Sequence, residues 1–138
     1  MLHIILATHG ELGRALLEAA EEIAGPQERV YAVGLLAGES PEGFAAQLDA
    51  ALAETAGGET LLLVDLFGGT PYNYAARAAL AAQPPGRVVC VTGANLPLLL
   101  ELLLGRNGDA PLAELVERAV QAGRDSIRDL SAALRRSA

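Results

Sequence analysis

Few side chains in this sequence can do chemistry, and two stretches gather most of them. Thr8-His9-Gly10 follows one short apolar run, and Asp65-Leu66-Phe67-Gly68-Gly69-Thr70-Pro71 follows another. A carboxylate beside a histidine accepts one ring N–H, fixes the tautomer and leaves the other nitrogen as a nucleophile. Glycine-rich turns and helix starts offer unpaired backbone N–H groups to an anion. Gly10 would let the chain turn close to the imidazole, Gly68 and Gly69 would aim amides at the same space, and all three are candidate phosphate-binding residues. Thr70 adds a hydroxyl, with Pro71 expected as the first helical residue. A phosphoryl group on His9 would then find donors without a lysine, a metal or any other cofactor. Taken singly, each feature has a plainer reading: a loop histidine, a capping aspartate, an ordinary strand-to-helix connection. The other histidine, His3, lies inside an apolar run and reads as structural. The lone cysteine, Cys90, reads as a core residue.

Composition narrows the alternatives. Among 138 residues there is no lysine; ten arginines face 17 acids, for a net charge of −7. That removes the P-loop, the familiar phospho-aspartate receiver and Schiff-base chemistry, all of which use a lysine. One cysteine removes an internal disulfide and multi-cysteine zinc sites. Scattered arginines on an acidic chain make a poor nucleic-acid binder, so no nucleic-acid partner is expected. The chain is 51% hydrophobic and 20% charged, which fits a single packed domain over 1–138. The longest apolar stretch, Leu96 to Leu104, is broken by Pro97 and Glu101 and falls short of the ~20 residues of a membrane span. No signal peptide is evident, and a cytoplasmic protein is expected.

The elements that must position His9 and Asp65 follow from periodicity. Leu2–Ala7, Val30–Leu35, Thr60–Val64 and Val88–Thr92 are short and apolar, as buried parallel strands are. Between them, Leu12, Leu16, Leu17, Ala20 and Ile23 recur at helical spacing, and Ser40-Pro41 starts a second helix carrying Phe44, Leu48 and Leu52. An Ala-rich helix is expected over about 71–82, a Leu-rich one near 97–104, and a last one from Leu112, closed by Gly123. Strands alternating with helices predict βαβ units and an open parallel sheet, α/β in class. Ligands in such sheets gather at the carboxyl ends of the strands. In the order 2-1-3-4, the first and third strands are neighbours about 4.8 Å apart, which brings His9 beside Asp65. The tail from Asp125 reads two ways. Ile127, Leu130 and Leu134 fit a helix, and Ser126-Ile127-Arg128 fits an edge strand.

These motifs resemble the enzyme IIA domain of the mannose-type sugar phosphotransferase system. Gly93-Ala94-Asn95-Leu96-Pro97 and Glu117 to Asp125 extend the resemblance, which covers essentially the whole chain. It implies a cytoplasmic phosphocarrier. His9 would accept a phosphoryl group on Nε2 from the phosphohistidine of the carrier protein HPr and pass it to a sugar-specific IIB component. Asp65 would orient His9 through Nδ1, and Thr70 would help hold the phosphate. Phe67 stands where some members carry Trp. Contact with the membrane would be peripheral only, through transporter components. The implied fold is a 2-1-3-4 parallel sheet with helices on both faces, plus an antiparallel strand over 125–130 swapped between the subunits of a homodimer.

Other readings remain at this point. A histidine phosphatase wants an arginine directly before its histidine, where this chain has Thr8. A dinucleotide-binding module wants more than the half fingerprint of Gly10 and Gly13. The phosphocarrier subunit of a dihydroxyacetone kinase would keep the histidine and serve another partner.

Overall fold

The computed structural model describes residues 1–137. Four parallel strands, β1 (His3–His9), β2 (Val30–Leu35), β3 (Thr60–Val64) and β4 (Val88–Val91), form one sheet in the order β2-β1-β3-β4. The connections are α1 (Leu12–Ala24), α2 (Pro41–Glu54) and α3 (Gly69–Ala81); α4 (Leu96–Gly105), α5 (Leu112–Asp125) and α6 (Leu130–Ser137) follow β4. The expected α/β class and strand order are therefore those observed.

Alternation along the central strands divides the core. Ile4, Leu6, Leu61 and Leu63 face one layer with Ala20 of α1, Leu98, Leu99, Leu102 and Leu103 of α4, and Leu115 and Ala119 of α5. Ile5, Ala7, Leu62 and Val64 face the other, against Phe44 and Leu48 of α2 and Ala75 of α3. With both faces covered, β1 and β3 read as near-continuous apolar runs, and β3 is buried throughout. Ser40 caps α2 as its sequence predicts: its Oγ accepts the Gly43 N–H at 3.0 Å, with Pro41 in the first helical position. Asn95 caps α4 in the same way, accepting the Leu98 N–H at 3.0 Å.

β1 runs two residues past the expected Leu2–Ala7, to His9, and β4 stops one residue short of Thr92; three further features differ from expectation. The first is α3, which begins at Gly69, so Pro71 is its third residue. The second is α5, which runs through Gly123 to Asp125. Gly123 is a contact residue: a Cβ there would lie 3.1 Å from Leu98 Cβ and 3.3 Å from Asn95 Oδ1. The third is the stretch 125–130, which forms no strand in this chain. Asp125 ends α5, Leu130 begins α6, and the Ser126 and Ile127 N–H groups bond back to Ala122 and Arg124. A strand there would need a sheet edge to pair with, and the local turn supplies those hydrogen bonds instead. The helical reading of the tail holds for Leu130–Ser137, with Leu130 and Leu134 exposed.

Candidate active site

Parallel pairing of β1 with β3 delivers His9 and Asp65 to the same end of the sheet. Asp65 accepts twice from His9. The backbone N–H of His9 donates to Oδ2 at 3.0 Å, and ring Nδ1 lies 3.1 Å from Oδ2 and 3.3 Å from Oδ1. A carboxylate only accepts, so this arrangement calls for the Nδ1–H tautomer and leaves the Nε2 lone pair free. The two side chains differ in exposure, 45% for His9 and 11% for Asp65. The imidazole meets solvent while the carboxylate beside it is sheltered.

The free nitrogen faces the start of α3. A Cβ built on Gly69 would stand 3.7 Å from both Nε2 and Cε1 of His9, so the Gly69 backbone comes close to the reactive face. Gly68 and Gly69 hold φ of +87° and +85°, a conformation that side-chain-bearing residues rarely adopt. The N-cap, Gly68, has no side chain to satisfy the first turn, so the amides there are open to an anion and carry the positive end of the helix dipole. Thr70 is half-buried in that same turn, and its hydroxyl makes no hydrogen bond to His9 or Asp65.

Gly10 makes the turn expected of it but does not offer a free amide to phosphate. Its N–H donates to Leu35 O at 2.8 Å, which removes it as a phosphate donor. With φ of +54° it makes the turn that follows His9. Beyond the carboxyl ends of the strands Leu12, Leu36, Leu66 and Phe67 are all exposed, Phe67 at 74%, alongside the exposed Glu11–Arg14 pair. Phe67 also meets Tyr72 with ring centroids 4.7 Å apart. Several large apolar side chains exposed at one end of a sheet suit contact with a protein partner. The sequence carried only a hint of it, in Leu66-Phe67 following Asp65; Leu12 and Leu36 join through the fold. His3 and Cys90 lie away from this end, as expected. His3 stacks on Tyr31 at the opposite end of β1, and Cys90 pairs with Leu62 inside the sheet.

Comparison with known proteins agrees with this fold. The family model described as "PTS system fructose IIA component" matches residues 3–120. The mannose-specific EIIAB component of Escherichia coli K12 is 36% identical over 131 residues, covering 94% of this chain and 39% of that protein. The chain thus spans about two-fifths of the length of that relative. The fructose-specific EIIA component of Bacillus subtilis is 38% identical over 104 residues, 75% of this chain and 69% of that one. The crystal structure of phosphotransferase system component EIIA from Streptococcus agalactiae superposes with a TM-score of 0.86 at 30% identity, covering 96% of this chain and 99% of that one. On this evidence the chain belongs to the mannose/fructose family of phosphotransferase-system IIA components.

Proposed function

We propose that this chain is a phosphocarrier that takes a phosphoryl group on Nε2 of His9 from phospho-HPr and hands it to a IIB component for sugar uptake. The observation that carries the reading is the pairing of Nδ1 with Asp65 while Nε2 faces the open first turn of α3. In the transfer, the donor's N–P bond breaks and its electron pair returns to the donor imidazole. A bond forms from phosphorus to Nε2. The ring keeps its Nδ1 proton, and the Asp65 carboxylate offsets the positive charge the ring gains. Phosphoryl transfer passes through a loose transition state, so alignment and local dipoles do most of the work. The amides of the α3 first turn and the Thr70 hydroxyl are the groups proposed to hold the phosphate oxygens. Leu12, Leu36, Leu66 and Phe67 would form the docking face for both partners in turn. Among the described residues no helix is long and apolar enough to cross a membrane.

The test is incubation with phosphorylated HPr and measurement of acid-labile, alkali-stable phosphate. His9→Ala is expected to abolish labelling, and Asp65→Ala to slow it by about a hundredfold. Label on another residue, or free phosphate released catalytically, would overturn the reading.

We further propose a homodimer in which residues 125–130 cross to the open β4 edge of a second copy. Support comes from a cleft along that edge lined by Val91, Leu98, Val116, Val120 and Ile127, since exposed sheet edges are prone to pair. Light scattering should find a dimer that is lost when the chain is cut after Asp125. A monomeric full-length chain at micromolar concentration would count against it.

A further inference from the structure

We infer that Thr8 is a positioning residue for His9: its buried hydroxyl ties the end of β1 to the start of α1 and so holds the turn that aims the imidazole at Asp65. A half-exposed imidazole needs such a hold. A hydrogen bond from a half-exposed ring fixes it weakly, because water competes for the donor, and His9 is the exposed member of its pair with Asp65. Its orientation must therefore come largely from the backbone that carries it.

Asp65 Oδ2 holds the His9 N–H itself at 3.0 Å, and the backbone that follows is pinned on two more sides. On one, the Gly10 N–H is held by Leu35 O of β2. On the other, Thr8 Oγ1 accepts the Gly13 N–H at 2.9 Å. Gly13 is the second residue of α1, and its N–H is one of those a helix start leaves without a partner. The N-cap residue does not take it, because the Glu11 side chain caps nothing and lies 3.2 Å from Arg14 in an exposed pair. A strand residue thus does the work of a helix cap, from five positions away. Thr8 is fully buried, so no water replaces its hydroxyl. Gly13 completes the fit: a Cβ there would stand 3.0 Å from Leu6 Cβ and 3.3 Å from Thr8 Oγ1. The hydrogen bond closes a short loop containing His9, Gly10, Glu11 and Leu12, and the nucleophile is its first residue.

The test compares Thr8→Val, which keeps shape and loses the hydroxyl, with Thr8→Ser, which keeps the hydroxyl, each checked for folding by thermal melt. NMR of the His9 ring nitrogens reads the tautomer, and transfer from phospho-HPr gives a rate and a KM. Thr8→Val is expected to turn a dominant Nδ1–H form into a mixture. It should slow transfer about tenfold with KM within about twofold, since small misplacements act on the reacting geometry. Thr8→Ser should restore both. A folded Thr8→Val chain with wild-type tautomer and rate would overturn the inference, and so would a Ser variant as impaired as Val. Should Thr8→Val not fold, Gly13→Ala perturbs the same contact from the helix side, and a wild-type tautomer there overturns it equally. The rate arm rests on the phosphocarrier reading and the tautomer arm does not. A wild-type chain that takes no phosphoryl group would sink that reading and leave the tautomer comparison to decide this one.

Discussion

At the amino end of the sheet a charged side chain is buried; at the carboxyl end an ionisable one is left half in water. Arg106, after α4, is 8% exposed and donates to Leu2 O at 3.0 Å, Glu28 O at 2.6 Å and Gln27 Oε1 at 3.1 Å. It joins the start of β1 to the loop before β2, with burial pressing its pKa down. His9 has one partner, Asp65, and a free nitrogen. The contrast separates two uses of polarity. A guanidinium with several fixed acceptors closes loops that would otherwise bury unpaired carbonyls. An imidazole with one acceptor is oriented while staying available to react. The two ends divide stability from chemistry, and substitutions should separate them.

The largest expected effect is at the closed end. Arg106→Met removes the donors to the carbonyls of Leu2, Glu28 and Arg29 and should cost about 3 kcal/mol in denaturant unfolding. Labelling of His9 in the folded fraction should persist. Arg106→Lys should rescue little, because one ammonium cannot reproduce a planar fork. A variant that loses labelling while keeping its stability would break the division. At the open end, Phe67→Ala should weaken partner affinity about tenfold, measured by calorimetric titration, and change stability by less than about 0.5 kcal/mol. A large stability loss there would mean that the Phe67–Tyr72 contact is structural. The smallest effect concerns His3, again at the closed end. Its pKa lies below the ordinary 6.5, first through burial and then through the positive charges of Arg29, the N-terminus and Arg106. Below pH 6.5 the unfolded chain therefore binds a proton that the folded chain resists, and stability falls as pH falls. His3→Gln should flatten that slope. An unchanged slope in paired melts across this range would show that other groups set it.

Much of this division was legible in the sequence at one end only. The strands and the placing of His9 and Asp65 at their carboxyl ends follow from apolar runs and the rule for parallel sheets, because those signals are local or generic; their meeting needs the order 2-1-3-4 as well, which comes from the family resemblance. Arg106 gives no such signal. An arginine after a leucine-rich helix looks like any solvated charge until the fold brings the carbonyls of Leu2 and Glu28 around it. Gly10 and Gly123 misled for a related reason. Glycine marks places where a side chain is unwelcome, but sequence does not say whether the cause is a turn, a ligand or a neighbour. At Gly10 the cause is a turn whose amide is spent on Leu35, and at Gly123 it is the closeness of α4. The tail was ambiguous because its apolar spacing serves a helix or a pairing edge, and the choice depends on what lies beside it.

His9 and Asp65 stand 56 residues apart along the chain and meet only through the pairing of β1 with β3. During synthesis, a ribosome-bound chain carries the histidine long before the aspartate has been made. Until the central pair closes, the imidazole has neither a fixed tautomer nor a helix start to face. On the proposed phosphocarrier reading, phosphate uptake would then report folding too: a chain that can be charged would already have assembled the middle of its sheet.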